Sequence, residues 1–156
     1  MRRIRRGEAL MSIGAIALFV LLFADWFKGG GVSASGWSSL GWALDVLLVA
    51  LLAMVVVTIG SLVTRAKVAI AIGASVLTAT LAIVTFVIAL LRVLIFQPDL
   101  DLGLGNGAVT VQVAGYLGLL ALALVAVGGW IAVADERTDA PDSAYTPPPP
   151  RPVPGS

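Results

Sequence analysis

The chain contains no cysteine and no histidine among its 156 residues. Without cysteine there is no disulfide, no thiolate metal site, no thiol nucleophile and no lipid attachment at sulfur. Without histidine the commonest proton shuttle and transition-metal ligand is missing, and Ser/His/Asp and Cys/His catalytic sites are excluded. Charge is scarce as well: 12% of residues are charged, against about a quarter in a soluble domain. No cluster of carboxylates lies near a nucleophile. The reading is therefore no enzyme, no cofactor, no bound metal and no nucleic-acid partner.

What the chain has in abundance is apolar surface, 59% of its residues. It is gathered into four runs, at 9–24, 41–63, 68–91 and 113–134, of 16, 23, 24 and 22 residues, with Asp45 the one charged residue inside any of them. A bilayer core of about 30 Å takes roughly 20 apolar residues as helix, so the last three runs span it. The first reaches full length with Gly7, Glu8, Trp26 and Phe27 as interfacial ends. The fold class expected is an all-α membrane protein, an antiparallel bundle of four transmembrane helices at about 8–27, 41–63, 68–96 and 110–134. These make one membrane domain, 1–134, followed by a tail, 135–156.

The cations outside the runs are unevenly placed. Arg2, Arg3, Arg5, Arg6, Arg65, Lys67, Arg137 and Arg151 fall on one side, and Lys28 and Arg92 on the other. The positive-inside rule then puts both termini in the cytoplasm of a multi-pass protein of the cell inner (plasma) membrane. A basic start before an apolar stretch also fits a secretory signal, with Val32-Ser33-Ala34 as a cleavage site. That site lies well past the apolar core, so an uncleaved first helix is the preferred reading.

The connections carry further signals. Four residues, Thr64-Arg65-Ala66-Lys67, join the second and third helices, which must be antiparallel neighbours. The first outer loop is flexible at Gly29, Gly30 and Gly31 and aromatic at its edges. Trp26, Trp37 and Trp42, with Trp130 on the fourth helix, are interface aromatics, since amphipathic rings prefer the membrane boundary. In the second outer loop, Leu100, Leu102 and Leu104 alternate before Asn106-Gly107, and Val109, Val111 and Val113 alternate after it. That pattern predicts a short extracytoplasmic β-hairpin between the third and fourth helices. Asp99 and Asp101 there suit capping or an edge better than calcium, because the 12-residue ligand loop is missing.

Helices in lipid associate through faces of small and hydroxyl residues. The third helix has such a seam in Ala71, Ser75, Thr78, Ala82, Thr85 and Ala89, and Arg92 extends it. The fourth has Ala114, Gly118, Ala121, Val125, Gly128 and Ala132, and the second a weaker one in Ala50, Ala53, Val57, Gly60 and Thr64. Packing is the preferred reading; a hydroxyl-lined conduit through Ser75, Thr78 and Thr85 is the alternative. Asp45 and Arg92 lie at comparable depth on adjacent helices and form a candidate intramembrane ion pair. The competing reading has Asp45 complementing its helix N-terminus while Arg92 snorkels to the headgroups.

The tail turns polar and then proline-rich, from Asp135 to Thr146-Pro147-Pro148-Pro149-Pro150-Arg151-Pro152-Val153-Pro154. It cannot bury a core and is expected to be disordered, a solvated segment or a ligand for an aromatic groove in a cytoplasmic partner.

Several short motifs resemble a group of small, uncharacterised bacterial four-helix integral membrane proteins. They are Arg5-Arg6-Gly7-Glu8, Phe23-Ala24-Asp25-Trp26, Gly36-Trp37 leading to Asp45, Ala114-Gly115-Tyr116-Leu117-Gly118-Leu119, Gly128-Gly129-Trp130 and Asp135-Glu136. The resemblance covers most of the membrane domain, implies the same topology and implies nothing about mechanism. Two functions are then open: a structural, accessory or scaffold protein acting through helix packing and tail, as a homo-oligomer or with another membrane protein, or a small transporter or channel subunit. Small four-helix exporters use an acid deep in the first helix, and this chain has none between Glu8 and Asp25.

Overall fold

The computed structural model describes residues 6–64, 68–100 and 106–138. In chain order they form α1 (Arg6–Leu21), β1 (Asp25–Gly29), β2 (Val32–Ser35), α2 (Gly36–Ser39), α3 (Trp42–Val63), α4 (Val68–Leu94), a 3-10 turn (Asn106–Ala108), β3 (Thr110–Val111) and α5 (Val113–Thr138). The fold is mostly helical, with one small three-stranded sheet.

Three helices are long and apolar enough to cross a membrane, within Trp42–Ser61, Gly73–Leu94 and Val113–Ala134. Their outward faces are as apolar as their inward ones: Val56, Leu77, Val87 and Leu120 are all exposed. A helix apolar all round must be surrounded by apolar material, protein or lipid. The 16 residues of α1 extend only about 24 Å.

The α1–α5 pair is the most extensive helix contact; α5 then packs on α4 and α4 on α3, while α1 and α3 meet more lightly. Gly7 lies against Gly128 and Ala132, and Gly14 against Ala121 and Val125, so α1 and α5 run antiparallel. The pairs Thr58–Thr78 and Ser39–Arg92 set α3 and α4 antiparallel too.

The sheet caps one end, in the order β2-β1-β3 with both pairings antiparallel. Gly30 and Gly31, at φ 57° and 82°, make the two-residue loop between β1 and β2, in the left-handed conformation that matches strand twist. The register steps from Asp25↔Ser35 to Phe27↔Ala34, which leaves Trp26 as a bulge residue. A bulge breaks strict alternation, and Trp26 and Phe27 are in consequence both fully buried.

The ends of the elements depart from the sequence expectation. The first helix ends at Leu21, not near 27, because Phe23 and Ala24 donate to the carbonyls three residues back and close a tight last turn. The indole of Trp26 also donates to the carbonyl of Leu21, at 2.7 Å. The third long helix stops at Leu94 rather than 96; Ile95 and Phe96 both donate to Leu91, and Pro98 follows. The last begins at Val113, after β3, and continues to Thr138, so the first residues assigned to the tail are helical.

The first strand of the hairpin expected between the third and fourth long helices falls on 101–105, outside the described residues. Asn106-Gly107 lies in the 3-10 turn, and Thr110–Val111 pairs with β1. A hairpin not expected from the sequence, β1–β2, forms in the first connection, at the glycines expected to be flexible. The Asn-Gly signal is local, and β1 offered the following strand a fixed partner: Trp26 accepts the Gln112 amide at 2.8 Å. Leu102, Leu104 and Asp101 lie outside the described residues.

Candidate functional site

Beneath the sheet, the capped end is built around Trp26. Glycines surround the residue: a Cβ at Gly118 would overlap the six-membered ring, one at Gly36 would sit 3.0 Å from Cε2, and one at Gly115 3.3 Å from the Trp26 carbonyl oxygen. The small positions of α5 therefore receive an aromatic side chain as well as a helix. Trp26 is thus not an interface aromatic; the bulge turns it inward and the glycines seat it. Trp37 is half-buried, its ring edge against Phe23 at 6.2 Å. Trp42 at 82% and Trp130 at 65% exposure do face outward, as does Tyr116.

The seam residues occupy three different situations. On α5, Ala121, Val125, Gly128 and Ala132 are buried, and Gly118 too, while Ala114 is half-buried. Their partner is α1, through Gly7 and Gly14. Those glycines, seven residues apart with Met11 between them, were missed in the sequence although the spacing marks one face of a helix. On α4, Ser75, Thr78, Ala82, Thr85 and Ala89 are all buried; the side chain of Ala71 is outside the described ones. Ala79, one position off that seam, lies beside Gly129 of α5, where an added Cβ would sit 3.1 Å from the Ala79 Cα.

The weaker seam on α3 is corrected. Ala53, Val57 and Thr64 are exposed, and a Cβ on Gly60 would meet nothing within 4 Å. This helix buries Leu44, Leu48, Leu51, Val55 and Thr58 instead. Large side chains at alternating spacings of four and three present the broader apolar area, and they win the interior.

The hydroxyls are bonded within the protein. Thr58 and Thr78 share a hydrogen bond of 2.9 Å, and each also reaches a carbonyl of its own helix, Met54 at 2.9 Å and Ala74 at 2.8 Å. Thr85 donates to Leu81 and Ser61 to Thr58.

Asp45 and Arg92 do not pair. Arg92 donates to the Phe96 carbonyl at 2.7 Å and to the Ser39 carbonyl at 3.5 Å. Helical phase explains the separation. Met54 and Thr58 mark the side of α3 that faces α4; at about 100° per residue, Asp45 lies roughly 180° from Met54. It therefore sits on the side of α3 turned away from α4 and Arg92. Its Oδ1 is buried without a hydrogen-bond partner, as is Nε1 of Trp37; these are the only such side-chain atoms among the described residues.

Among the described residues no group of three acidic, histidine or cysteine side chains could hold a metal. The cations at 2, 3, 5, 65, 67 and 151, Asp101 and the proline-rich segment from 139 onward lie outside the described residues. No known protein-family model matches the chain, and comparison with curated proteins and with solved structures likewise finds no match. The motif resemblance therefore assigns no family, and any functional reading rests on the residues themselves.

Proposed function

We propose that the chain is an integral membrane protein of the cell inner membrane in which all four long helices cross, and that its role is structural or accessory, not enzymatic. The three long apolar helices support the membrane setting. For α1 the support is its packing: it runs antiparallel along α5 from Ala132 to Ala121, and a helix packed along a span shares its depth. The positive-inside distribution supports a threading with both ends of the chain in the cytoplasm and the sheet outside.

The observation that carries the non-transport reading is the closed interior. The buried threonines of α3 and α4 bond each other or their own carbonyls, and Trp26 fills the capped end, so no line of unbonded hydroxyls runs between the helices among the described residues. A scaffold role uses what remains available: outward helix faces, the cap and the tail. The alternative is a small transporter or channel subunit, for which Asp45 and Arg92 would be the residues to test.

The lack of native cysteine makes the topology directly measurable. Single cysteines at Ser35 and Asn106 should label from outside intact cells, and those at Ala66 and Ser143 only after permeabilisation; outside labelling at Ala66 or Ser143 would overturn the threading. Cross-linked partner capture with the intact chain and with one ending at Arg137 tests the scaffold role. Solute flux in proteoliposomes that disappears in an Asp45/Arg92 double alanine variant would favour transport instead.

A further inference from the structure

The sheet over the end of the bundle has one open edge. Gly30 and Gly31 join β1 to β2 as a two-residue turn, so Gly29 and Val32 form a hydrogen-bonded pair and Lys28 and Ser33, next along, a non-bonded one. Lys28 pairs with Thr110 on its other side, and the Trp26 carbonyl accepts from Gln112 there, in keeping with the same alternation. The amide and carbonyl of Ser33 therefore point away from β1. Among the described residues no backbone group takes them, and Val32 and Ser33 are both exposed.

β2 lacks the features that usually keep a strand edge from pairing. Val32-Ser33-Ala34-Ser35 holds no charge and no proline, and the bulge lies on β1. Such an edge accepts an extended strand, and two features select a second copy of this chain. The first is self-complementarity: with Ser33 opposite Ser33 the two residues exchange both hydrogen bonds, and Val32 falls opposite Ala34 on either side. The second is direction. The Trp26 ring beneath the sheet reaches Gly118, five residues into α5, while Lys28, Ser33 and Thr110 are exposed on the far face. The sheet therefore lies across the bundle end, with its normal along the bundle axis. Antiparallel neighbours in a sheet are related by a two-fold axis normal to it, and two copies threaded alike in one membrane by a two-fold axis normal to the membrane. Here the two requirements coincide.

We propose that the protein forms a two-fold dimer by antiparallel pairing of β2 with β2 of a second copy, centred on Ser33. The result is a continuous sheet in the order β3-β1-β2-β2-β1-β3 over two bundles. Both sheets must lie on the same side of one membrane, so the proposal rests on the membrane reading above.

The test uses the full chain in liposomes, where the absence of native cysteine lets one introduced thiol report each position under mild oxidation. At the axis the two Ser33 Cα atoms lie about 5.5 Å apart, within disulfide reach, so Ser33→Cys should cross-link to a dimer. The two Lys28 positions lie three strand spacings apart, about 14 Å, and the two Thr110 positions five, about 24 Å. Lys28→Cys and Thr110→Cys should stay monomeric. Val32→Cys mixed with Ala34→Cys should cross-link faster than either alone, which reads the register. In single-molecule counting of cysteine-free protein, Ser33→Pro should weaken association about tenfold or more, since each copy loses the donor that the other accepts. The β1–β2 ladder keeps its bonds, because the lost amide faces outward. Ser33→Lys should be monomeric too, and mixing it with Ser33→Glu should restore dimers, a rescue that misfolding would not allow. Cross-linking of Ser33→Cys no faster than that of Thr110→Cys overturns the proposal. So does wild-type dimerisation by a Ser33→Pro protein whose circular dichroism is that of the wild type. The membrane reading fails separately, if the chain does not enter liposomes or if Ser33→Cys in intact cells labels only after permeabilisation.

Discussion

Gly128 is the position at which one added carbon should do most damage to the bundle. Its Cβ would fall 2.5 Å from the Met11 amide nitrogen and 2.8 Å from the Gly7 carbonyl, where ordinary contact begins at 3.4 Å. Both obstacles are backbone atoms of a helix, so no side chain can rotate out of the way. The two helices must separate by about 0.9 Å, and a gap of that size forfeits a quarter to a half of the dispersion attraction of each atom pair across it. Overpacking costs about 1–3 kcal/mol, while replacing glycine by alanine in a helix returns up to about 1 kcal/mol. Gly128→Ala should therefore destabilise the protein by about 1–2 kcal/mol, and Gly7→Ala, at the same crossing, similarly. Gly60→Ala and Gly73→Ala meet nothing within 4 Å and should be neutral or slightly stabilising. Equilibrium unfolding in mixed micelles compares the four variants directly. If Gly128→Ala is as stable as Gly60→Ala, close packing of α1 on α5 does not hold the fold together.

Trp26→Ala should cost about 3–5 kcal/mol by emptying the seat between α5 and the hairpin, whereas Trp26→Phe, which loses chiefly the bond to Leu21, should cost about 1 kcal/mol plus repacking; the loss should appear as proteolysis within the hairpin at temperatures where the wild type resists. A Thr58→Val and Thr78→Val double-mutant cycle should give a coupling of only about 0.6 kcal/mol, because each hydroxyl keeps a carbonyl on its own helix; a coupling well above that would mean the pair is the main tie between α3 and α4. Exchanging charges, Asp45→Arg with Arg92→Asp, should restore nothing: the two losses should add within about 0.5 kcal/mol, and a rescue in the same unfolding assay would refute the separation of the two side chains.

How much of this could be read in advance depends on whether a signal was periodic or relational. The runs at 41–63, 68–91 and 113–134 appear as α3, α4 and α5 because apolar length is a property of each segment alone. The α4 seam is buried for the same reason: spacings of three and four keep one face turned inward whatever the neighbour. The α3 seam failed because a small-residue stripe competes with other faces of its own helix, and Leu44, Leu48 and Leu51 offered more area to bury. Trp26 was placed at the lipid boundary because aromatic residues beside a run usually lie there; its inward turn depends on a bulge and on Gly36, Gly115 and Gly118, brought together from distant parts of the chain. The Gly30-Gly31 turn reads from sequence only as flexibility, because a glycine pair permits a two-residue turn without specifying which strands flank it.

These differences bear on where the protein can act. A bundle whose central hydroxyls are all bonded and whose capped end is filled by a tryptophan has little free polarity in its interior. The unspent side-chain polarity of that interior is confined, among the described residues, to Asp45 Oδ1 and Trp37 Nε1, both buried without a hydrogen-bond partner. Arg92, across α3, ties the end of α4 to the carbonyl of Ser39 and so helps to fix α2 and the start of α3 from the other side.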